Sequence, residues 1–89
     1  ESHDEPEIIR RDDGSLLVDG QCSFYEFLEY IDMECLYPEY DYNTISGLIL
    51  HLLEHIPHTG EKISWHELEF EIVDMDGARI DKILVYSKQ

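Results

Sequence analysis

Basic residues are scarce in this chain. Six Lys and Arg stand against 21 Asp and Glu, so the 89 residues carry a formal net charge of −15. Duplex nucleic acid is bound by Lys and Arg that neutralise phosphates, and this composition therefore argues against a nucleic-acid partner. An anionic membrane surface also attracts Lys and Arg clusters, so direct membrane contact is disfavoured. The charge favours cations or basic proteins as partners, or it serves solubility alone.

Cysteines and long apolar runs are equally scarce. Cys22 and Cys35 are the only cysteines, and each lies within two residues of an apolar side chain, Phe24 and Leu36 respectively. This predicts two buried free thiols and a reducing compartment rather than a disulfide framework. No apolar run reaches the roughly 20 residues that span a bilayer, and no signal-peptide pattern is present. Because the sequence starts at Glu1 without Met, we interpret it as one domain of a longer protein.

The hydrophobic pattern predicts an α+β domain with the element order ββααβββ and a largely antiparallel sheet. Residues 1–7 are acidic and are predicted to be flexible, and residues 8–89 form the domain. Asp13-Gly14 is typical of a two-residue hairpin between the first two strands. Ser23 and Glu26 match a capping box for the first helix, which is expected to end near Asp32.

The second helix is predicted to follow an ordered loop over residues 33–42. Asn43 is its expected N-cap, apolar residues recur at helical spacing from Ile45 to Ile56, and Pro57 stops it. Strict alternation over residues 67–72 predicts a strand, which turns at Asp76-Gly77 into the last strand. Three consecutive apolar residues at 83–85 suggest a bulge in that last strand or cover on both of its faces.

One candidate metal site lies on the predicted second helix. His51, Glu54 and His55 match the pattern H-x-x-E-H, in which two histidines one turn apart bind zinc and the glutamate acts as general base. The chain is short for a peptidase with a substrate cleft, and no third ligand follows on a recognisable helix. We therefore expect His51 and His55 to bind a transition metal weakly, without activity, and keep a zinc peptidase as a remote alternative.

A second candidate metal site is the acidic hairpin near residue 76. Asp74 and Asp76 precede Gly77, which has a faint similarity to a calcium-binding loop. A calcium loop of the EF-hand type has Gly at position six and Glu at position twelve, and here Gly77 stands at position four. The favoured interpretation is a turn whose carboxylates accept backbone N–H groups. A weak site for a hard cation on Asp74 and Asp76 is the alternative.

Six sequence blocks together resemble the CorC/HlyC transporter-associated domain. They are DEPEI at 4–8, DGSLLVDG at 13–20, DYNT at 41–44 with GLI at 47–49, IP at 56–57 with GE at 60–61, FEIVDMDG at 70–77, and RIDK at 79–82. The resemblance implies a fold like part of a flavin-binding, PCMH-type domain. It implies no catalytic residues and no required cofactor, and it does not establish flavin binding.

The resemblance also implies a context. Domains of this kind lie near the C-terminus of hemolysin-related bacterial membrane proteins linked to magnesium and cobalt efflux, after a transmembrane domain and a pair of CBS modules. We therefore expect a non-catalytic regulatory or accessory domain on the cytoplasmic side of the inner membrane. The alternative is a ligand-binding module for an adenine nucleotide, flavin (FAD) or a divalent cation. Leu50, off the apolar stripe of its helix, and the apolar residues 83–85 predict a homodimer.

Overall fold

The fold is a five-stranded antiparallel sheet with two α-helices, as the α+β pattern predicts. The computed structural model describes residues 8–40 and 42–87, so the predicted flexible segment 1–7 lies outside the described residues. The elements are β1 (Ile8–Arg10), β2 (Leu16–Asp19), α1 (Phe24–Tyr30), a 3₁₀ helix (Glu34–Glu39), α2 (Ile45–Leu53), β3 (Lys62–Trp65), β4 (Leu68–Asp76) and β5 (Arg79–Ser87). The strands lie in the order β1-β2-β5-β4-β3.

One face of the sheet is buried under the helices. The alternation of β4 places Phe70 and Ile72 inward, opposite Val85 and Ile83 of β5. Fifteen apolar side chains form one core, namely Leu16, Val18, Cys22, Phe24, Phe27, Leu28, Ile45, Leu48, Ile49, Trp65, Phe70, Ile72, Ile80, Ile83 and Val85. A fully buried Leu, Ile or Phe contributes about 1.5–3 kcal/mol, so this layer supplies most of the favourable free energy of folding.

Helix α1 begins where its capping residue predicts. The Ser23 hydroxyl accepts the Glu26 backbone N–H at 3.2 Å, although the reciprocal half of a capping box is not formed among the described residues. The helix ends at Tyr30, and Asp32 takes a left-handed backbone with φ of 61°. A residue in that conformation closes a helix, which places the end within two residues of the prediction.

Helix α2 is shifted and shorter than predicted. Its N-cap is Thr44 rather than Asn43, because the Thr44 hydroxyl accepts the Gly47 N–H at 3.2 Å. Its last residue is Leu53, and Glu54 is left-handed with φ of 63°. The helix therefore stops well before Pro57, and Ile56, assigned to its apolar stripe by spacing, is 61% exposed.

Two turns differ from the expected geometry. Only Gly14 has a positive φ in the β1–β2 connection, where Arg11 N–H donates to Ser15 O and Gly14 N–H to Arg11 O. This is a three-residue loop, a tight turn followed by a left-handed glycine, rather than a two-residue hairpin. The register of the β4–β5 ladder shifts twice near Asp74, once past Val73 of β4 and once past Asp81 of β5. Residues 83–85 pair regularly, so the bulge predicted there is wrong, and the irregularity lies just beside them.

Two further expectations about the middle of the chain are corrected. The predicted loop over residues 33–42 contains a 3₁₀ helix with Pro38 inside it. Cys22 is a buried free thiol as predicted, but Cys35 is exposed because it lies in this 3₁₀ helix outside the core. None of the described helices is long and apolar enough to cross a membrane.

Gly20, just after β2, packs directly against the backbone of strand β5. A Cβ atom added there would lie 2.1 Å from the carbonyl oxygen of Ile80. The Gly20 N–H donates to Asp81 O at 2.9 Å, and its carbonyl accepts the Ser46 N–H at 3.1 Å. This glycine therefore joins β2, β5 and the first turn of α2, and no larger residue fits without moving the backbone.

Candidate functional site

The two histidines predicted to share a helix face do not do so. His51 lies on α2, exposed, with its ring centroid 5.5 Å from that of Tyr42. His55 lies beyond the end of α2 at Leu53, after the left-handed Glu54. The geometric argument for a His51–His55 pair one helical turn apart is therefore wrong, and so is that for the H-x-x-E-H peptidase arrangement. Metal binding by His51 and His55 stays a prediction.

His55 instead contacts the segment that enters strand β3. Its Nδ1 lies 2.9 Å from Leu53 O, and its Nε2 lies 2.6 Å from Glu61 Oε2. The other oxygen of Glu61 accepts the His58 backbone N–H at 3.2 Å and lies 3.3 Å from His58 Nδ1. Sequence reasoning overlooked His58 and Glu61, although the spacing of 55, 58 and 61 was a visible signal.

The Glu61 carboxylate is tuned by these contacts. Partial burial, with 18% of the side chain exposed, raises its pKa, but the hydrogen bonds from His55 and His58 and their positive charge together outweigh burial. The pKa of Glu61 is therefore lowered, and the group is an anion at neutral pH. This places an anion between two imidazole rings.

The acidic hairpin carries positive neighbours. Asp76 Oδ2 accepts from the Arg79 guanidinium at 3.1 Å, and Asp74 lies directly opposite Lys82 in the β4–β5 ladder. Gly77, with φ of 66°, forms the turn. Each carboxylate thus has a basic residue nearby, but among the described residues neither accepts the backbone N–H groups that the turn interpretation predicts. In residues 8–40 and 42–87, no three His, Cys, Asp or Glu side chains form a ready metal-binding group.

An open cavity of about 330 Å³ lies beside the C-terminal end of α1. Its floor is apolar, built by Leu16, Leu68 and Val85 on the inner face of the sheet. Its remaining lining is Arg10, Gly14, Tyr30, Ile31, Asp32, Tyr86 and Ser87. The volume is at the lower end of the range for small-molecule sites, and charges of both signs border an apolar floor. No local sequence pattern predicts this cavity, because its walls come from five separate segments.

Trp65 and the buried phenylalanines form an aromatic part of the core. Trp65 is 5% exposed and lies among the rings of Phe24, Tyr40, His66 and Phe70, at centroid distances of 4.6–6.0 Å. Its indole N–H has no hydrogen-bond partner among the described residues. Packing of this kind contributes through area and ring geometry and leaves no opening for a ligand.

Comparison with known proteins decides the family. The model of the CorC_HlyC transporter associated domain matches residues 9–89. The chain belongs to this family. The resemblance read from the six sequence blocks is thereby confirmed, while the likeness to a flavin-binding domain stays a prediction.

Three relatives of the CorC_HlyC domain are much longer proteins. A UPF0053 protein of Synechocystis is 46% identical over 91% of this chain, which spans 18% of that protein. The polyamine export protein of Haemophilus influenzae is 33% identical over 94% of the chain and 19% of its own length. A UPF0053 inner membrane protein of Escherichia coli is 30% identical over 90% of this chain, which spans 18% of that protein. The chain thus spans about a fifth of the curated relatives it matches.

A solved structure shares both fold and family. The transporter associated domain of a Xylella fastidiosa hemolysin, in complex with Mg²⁺ and Mn²⁺, superposes with a TM-score of 0.80 at 38% identity, covering 92% of this chain and 98% of the other. That domain binds divalent cations in its crystal.

Proposed function

We propose that this CorC_HlyC domain, residues 8–89, is a non-catalytic regulatory module of a bacterial membrane protein that exports cations. The family match over residues 9–89, in a chain that spans about a fifth of its relatives, carries the proposal. One relative is a polyamine export protein, and a neighbouring structure contains Mg²⁺ and Mn²⁺. Polyamines and these metal ions are all cations, and a domain with a net charge of −15 favours cationic partners.

The proposed action is coupling to the other parts of the parent protein. A transmembrane domain and a CBS pair would precede this module, which would lie on the cytoplasmic side of the inner membrane. One relative is an inner membrane protein, which supports that location. An anionic domain could contact a basic face of its neighbour, and cation binding would weaken that contact. Such coupling is typically worth about 1–3 kcal/mol.

Deletion in the parent protein tests the regulatory role. Removing residues 8–85 should shift the cation or nucleotide dependence of transport by roughly 5–150-fold, while membrane insertion is preserved. The readout is cation export from cells or vesicles over a range of effector concentrations, normalised to the amount of inserted protein. An unchanged dependence would contradict the regulatory role, and complete loss of export with normal insertion would indicate a direct part in transport.

The cavity beside α1 supports a second candidate function, ligand binding. It could hold a small molecule with charged and apolar parts, of which an adenine nucleotide or FAD is one class and a polyamine another. Thermal-shift measurements with AMP, ATP, FAD, spermidine, Mg²⁺ and Co²⁺ would identify the class. Arg10→Ala should remove the shift for a ligand in the cavity, and Arg11→Ala, whose side chain does not line it, should keep the shift. Shifts that survive Arg10→Ala place the ligand elsewhere, including Asp74 and Asp76.

We also propose a homodimer, formed through the outer face of the sheet. Ile9, Leu17 and Leu84 lie side by side in one row across β1, β2 and β5, and Ile9 is 48% exposed. Leu50, in contrast, packs against the core. Because each copy carries −15, repulsion opposes pairing, and association should strengthen with salt. Sedimentation of a monomer at high micromolar concentration in 0.5 M salt would contradict the dimer.

A further inference from the structure

This sequence contains the dipeptide Asp-Gly three times, at residues 13–14, 19–20 and 76–77. The backbone nitrogen that follows an aspartate can attack the carboxyl group of that aspartate and close a succinimide ring. Glycine has no Cβ atom to hinder the attack, so Asp-Gly reacts more readily than aspartate before a larger residue. The reaction needs a free nitrogen and a carboxyl group that can reach it, and the fold determines which dipeptide offers both.

At Asp13-Gly14, hydrogen bonds engage both reacting groups. Asp13 Oδ1 accepts the Ser15 N–H at 3.0 Å and the Ser15 hydroxyl at 2.6 Å. The Gly14 N–H donates to Arg11 O at 3.0 Å. The bonds from Ser15 also lower the pKa of Asp13. Because a carboxyl group must gain a proton before its oxygen can leave as water, this aspartate is held in its unreactive form.

At Asp19-Gly20, the packing of the sheet encloses the nitrogen. Gly20 is buried, and its N–H donates to Asp81 O at 2.9 Å. Asp19 Oδ1 accepts the Gln21 N–H at 2.9 Å. The chain would have to separate from β5 before this nitrogen became free, so ring closure here requires opening of the core.

At Asp76-Gly77, neither constraint is present. The Gly77 N–H has no hydrogen-bond partner among residues 8–40 and 42–87, and Gly77 is exposed in the β4–β5 turn. The Asp76 carboxylate is held by Arg79 at 3.1 Å, in an ion pair that is exposed on both sides and therefore weak. The register shifts near Asp74 make the ladder beside the turn irregular, which lowers the cost of opening it locally.

We propose that Asp76-Gly77 is the site at which the folded domain isomerises spontaneously to isoaspartate. The Gly77 nitrogen bonds to Asp76 Cγ, and one carboxyl oxygen leaves as water with the carboxyl proton and the amide proton. A second water then adds at the main-chain carbonyl of Asp76 and breaks its bond to the Gly77 nitrogen. One water leaves and one enters, so no oxidant, reductant or cofactor takes part.

The product changes the hairpin in two ways. The main chain now runs through Cγ of residue 76, which lengthens the β4–β5 turn by one methylene group. The free carboxylate is attached at Cα instead, so its position relative to Asp74 and Arg79 changes. Isomerisation would therefore alter the Asp74–Asp76 pair that the sequence offers as a weak cation site. It does not depend on the regulatory role proposed above.

Prolonged incubation of the folded domain in warm, mildly acidic buffer, followed by peptide mass mapping, tests the proposal. Isoaspartate leaves a peptide's mass unchanged but shifts its chromatographic retention, and fragment ions locate it. We expect at least roughly tenfold more isoaspartate at Asp76 than at Asp13 or Asp19. The same chain unfolded in urea is the matched control, because it frees all three dipeptides, which should then react within about threefold of one another.

The variant Asp76→Glu assigns the signal. It keeps a carboxylate beside Arg79 but would have to close a larger ring, so the peptide of residues 63–79 should no longer isomerise. Circular dichroism verifies that this variant is folded. A signal that persists in it would place the reaction at Asp74 and contradict the proposal. Equal isomerisation at Asp13 or Asp19 of the folded domain would also overturn it, as would an unmodified Asp76 in the folded domain under conditions that modify the unfolded chain.

Discussion

The inner face of the sheet and the connections at its ends differ in what determines their structure. On the inner face, apolar side chains are enclosed from several sides, so each position tolerates little change. The α2–β3 connection and the β4–β5 hairpin are held by polar contacts between exposed groups. Stability therefore resides in the first region, and the candidate binding groups lie in the second, where substitutions change chemistry without unfolding the domain.

The largest expected difference in stability is between alanine substitutions at two glycines, Gly20 and Gly47. Gly20→Ala places a Cβ atom 2.1 Å from Ile80 O, so β2 and β5 must move apart, and we expect a loss above about 4 kcal/mol or no folded protein. Gly47→Ala meets only ordinary contacts, at 3.6 Å or more, and should stabilise α2 by up to about 1 kcal/mol. Urea unfolding followed by circular dichroism measures both. Equal effects of the two substitutions would refute the packing argument.

Two aromatic residues of helix α1 provide the next comparison. Phe27 is fully buried against Phe70, with ring centroids 6.2 Å apart, and Phe27→Ala should cost about 3–5 kcal/mol. Tyr25 is 41% exposed and pairs at its edge with Tyr37, so Tyr25→Ala should cost about 1 kcal/mol. The same unfolding experiment applies. A Tyr25→Ala loss as large as that of Phe27→Ala would show that the 3₁₀ helix contributes to the core.

The two cysteines should differ in reactivity, because Cys22 lies in the buried core and Cys35 is exposed. Burial, with smaller contributions from Glu26 and Asp19, raises the pKa of the Cys22 thiol to about 11. At pH 8 only about one Cys22 in a thousand is a thiolate, the form that reacts. Iodoacetamide should thus add once to the native protein, at the exposed Cys35, and twice after unfolding. Peptide mass mapping reads the result, and rapid native labelling of Cys22 would mean that the core opens easily.

The smallest expected effect lies in the β4–β5 hairpin. Arg79 and Asp76 form an ion pair with 59% and 68% of their side chains exposed. Exposed pairs contribute little, so Arg79→Ala should change the free energy of unfolding by at most about 0.5 kcal/mol. The change should vanish in 1 M salt. A loss above 1.5 kcal/mol would place this hairpin with the core.

What the sequence predicts well is what short-range patterns determine. Alternation in β4, the Ser23 cap and the apolar stripe of α2 each depend on neighbours within a few residues, and the structure confirms them, the stripe as far as Leu53. Helix α2 ends because Glu54 adopts a left-handed backbone conformation. Glutamate has no strong preference for that conformation, so the sequence does not predict the end of the helix there. Cys35 looked buried because it adjoins apolar residues, but its neighbours form a 3₁₀ helix outside the core.

The candidate site was predicted only in part, for a related reason. The His51–His55 pair assumed a helix that continues to Pro57, and the early end of α2 redirects His55 toward Glu61. That contact joins residues six positions apart through two turns, so no helical or strand period describes it. Local sequence patterns cannot predict the cavity beside α1, because its lining comes from the end of α1 and from four strands, β1, β2, β4 and β5.

Amide hydrogen exchange of the wild-type domain tests the division between core and connections most directly. Amides of the inner-face residues of β2, β4 and β5 should exchange only with global unfolding, and thus share the largest protection factors. Amides over residues 55–59, which lie outside the strands and helices, should exchange orders of magnitude faster. Protection of 55–59 equal to that of the inner strands in the metal-free protein would contradict the account, because the connection would then belong to the core.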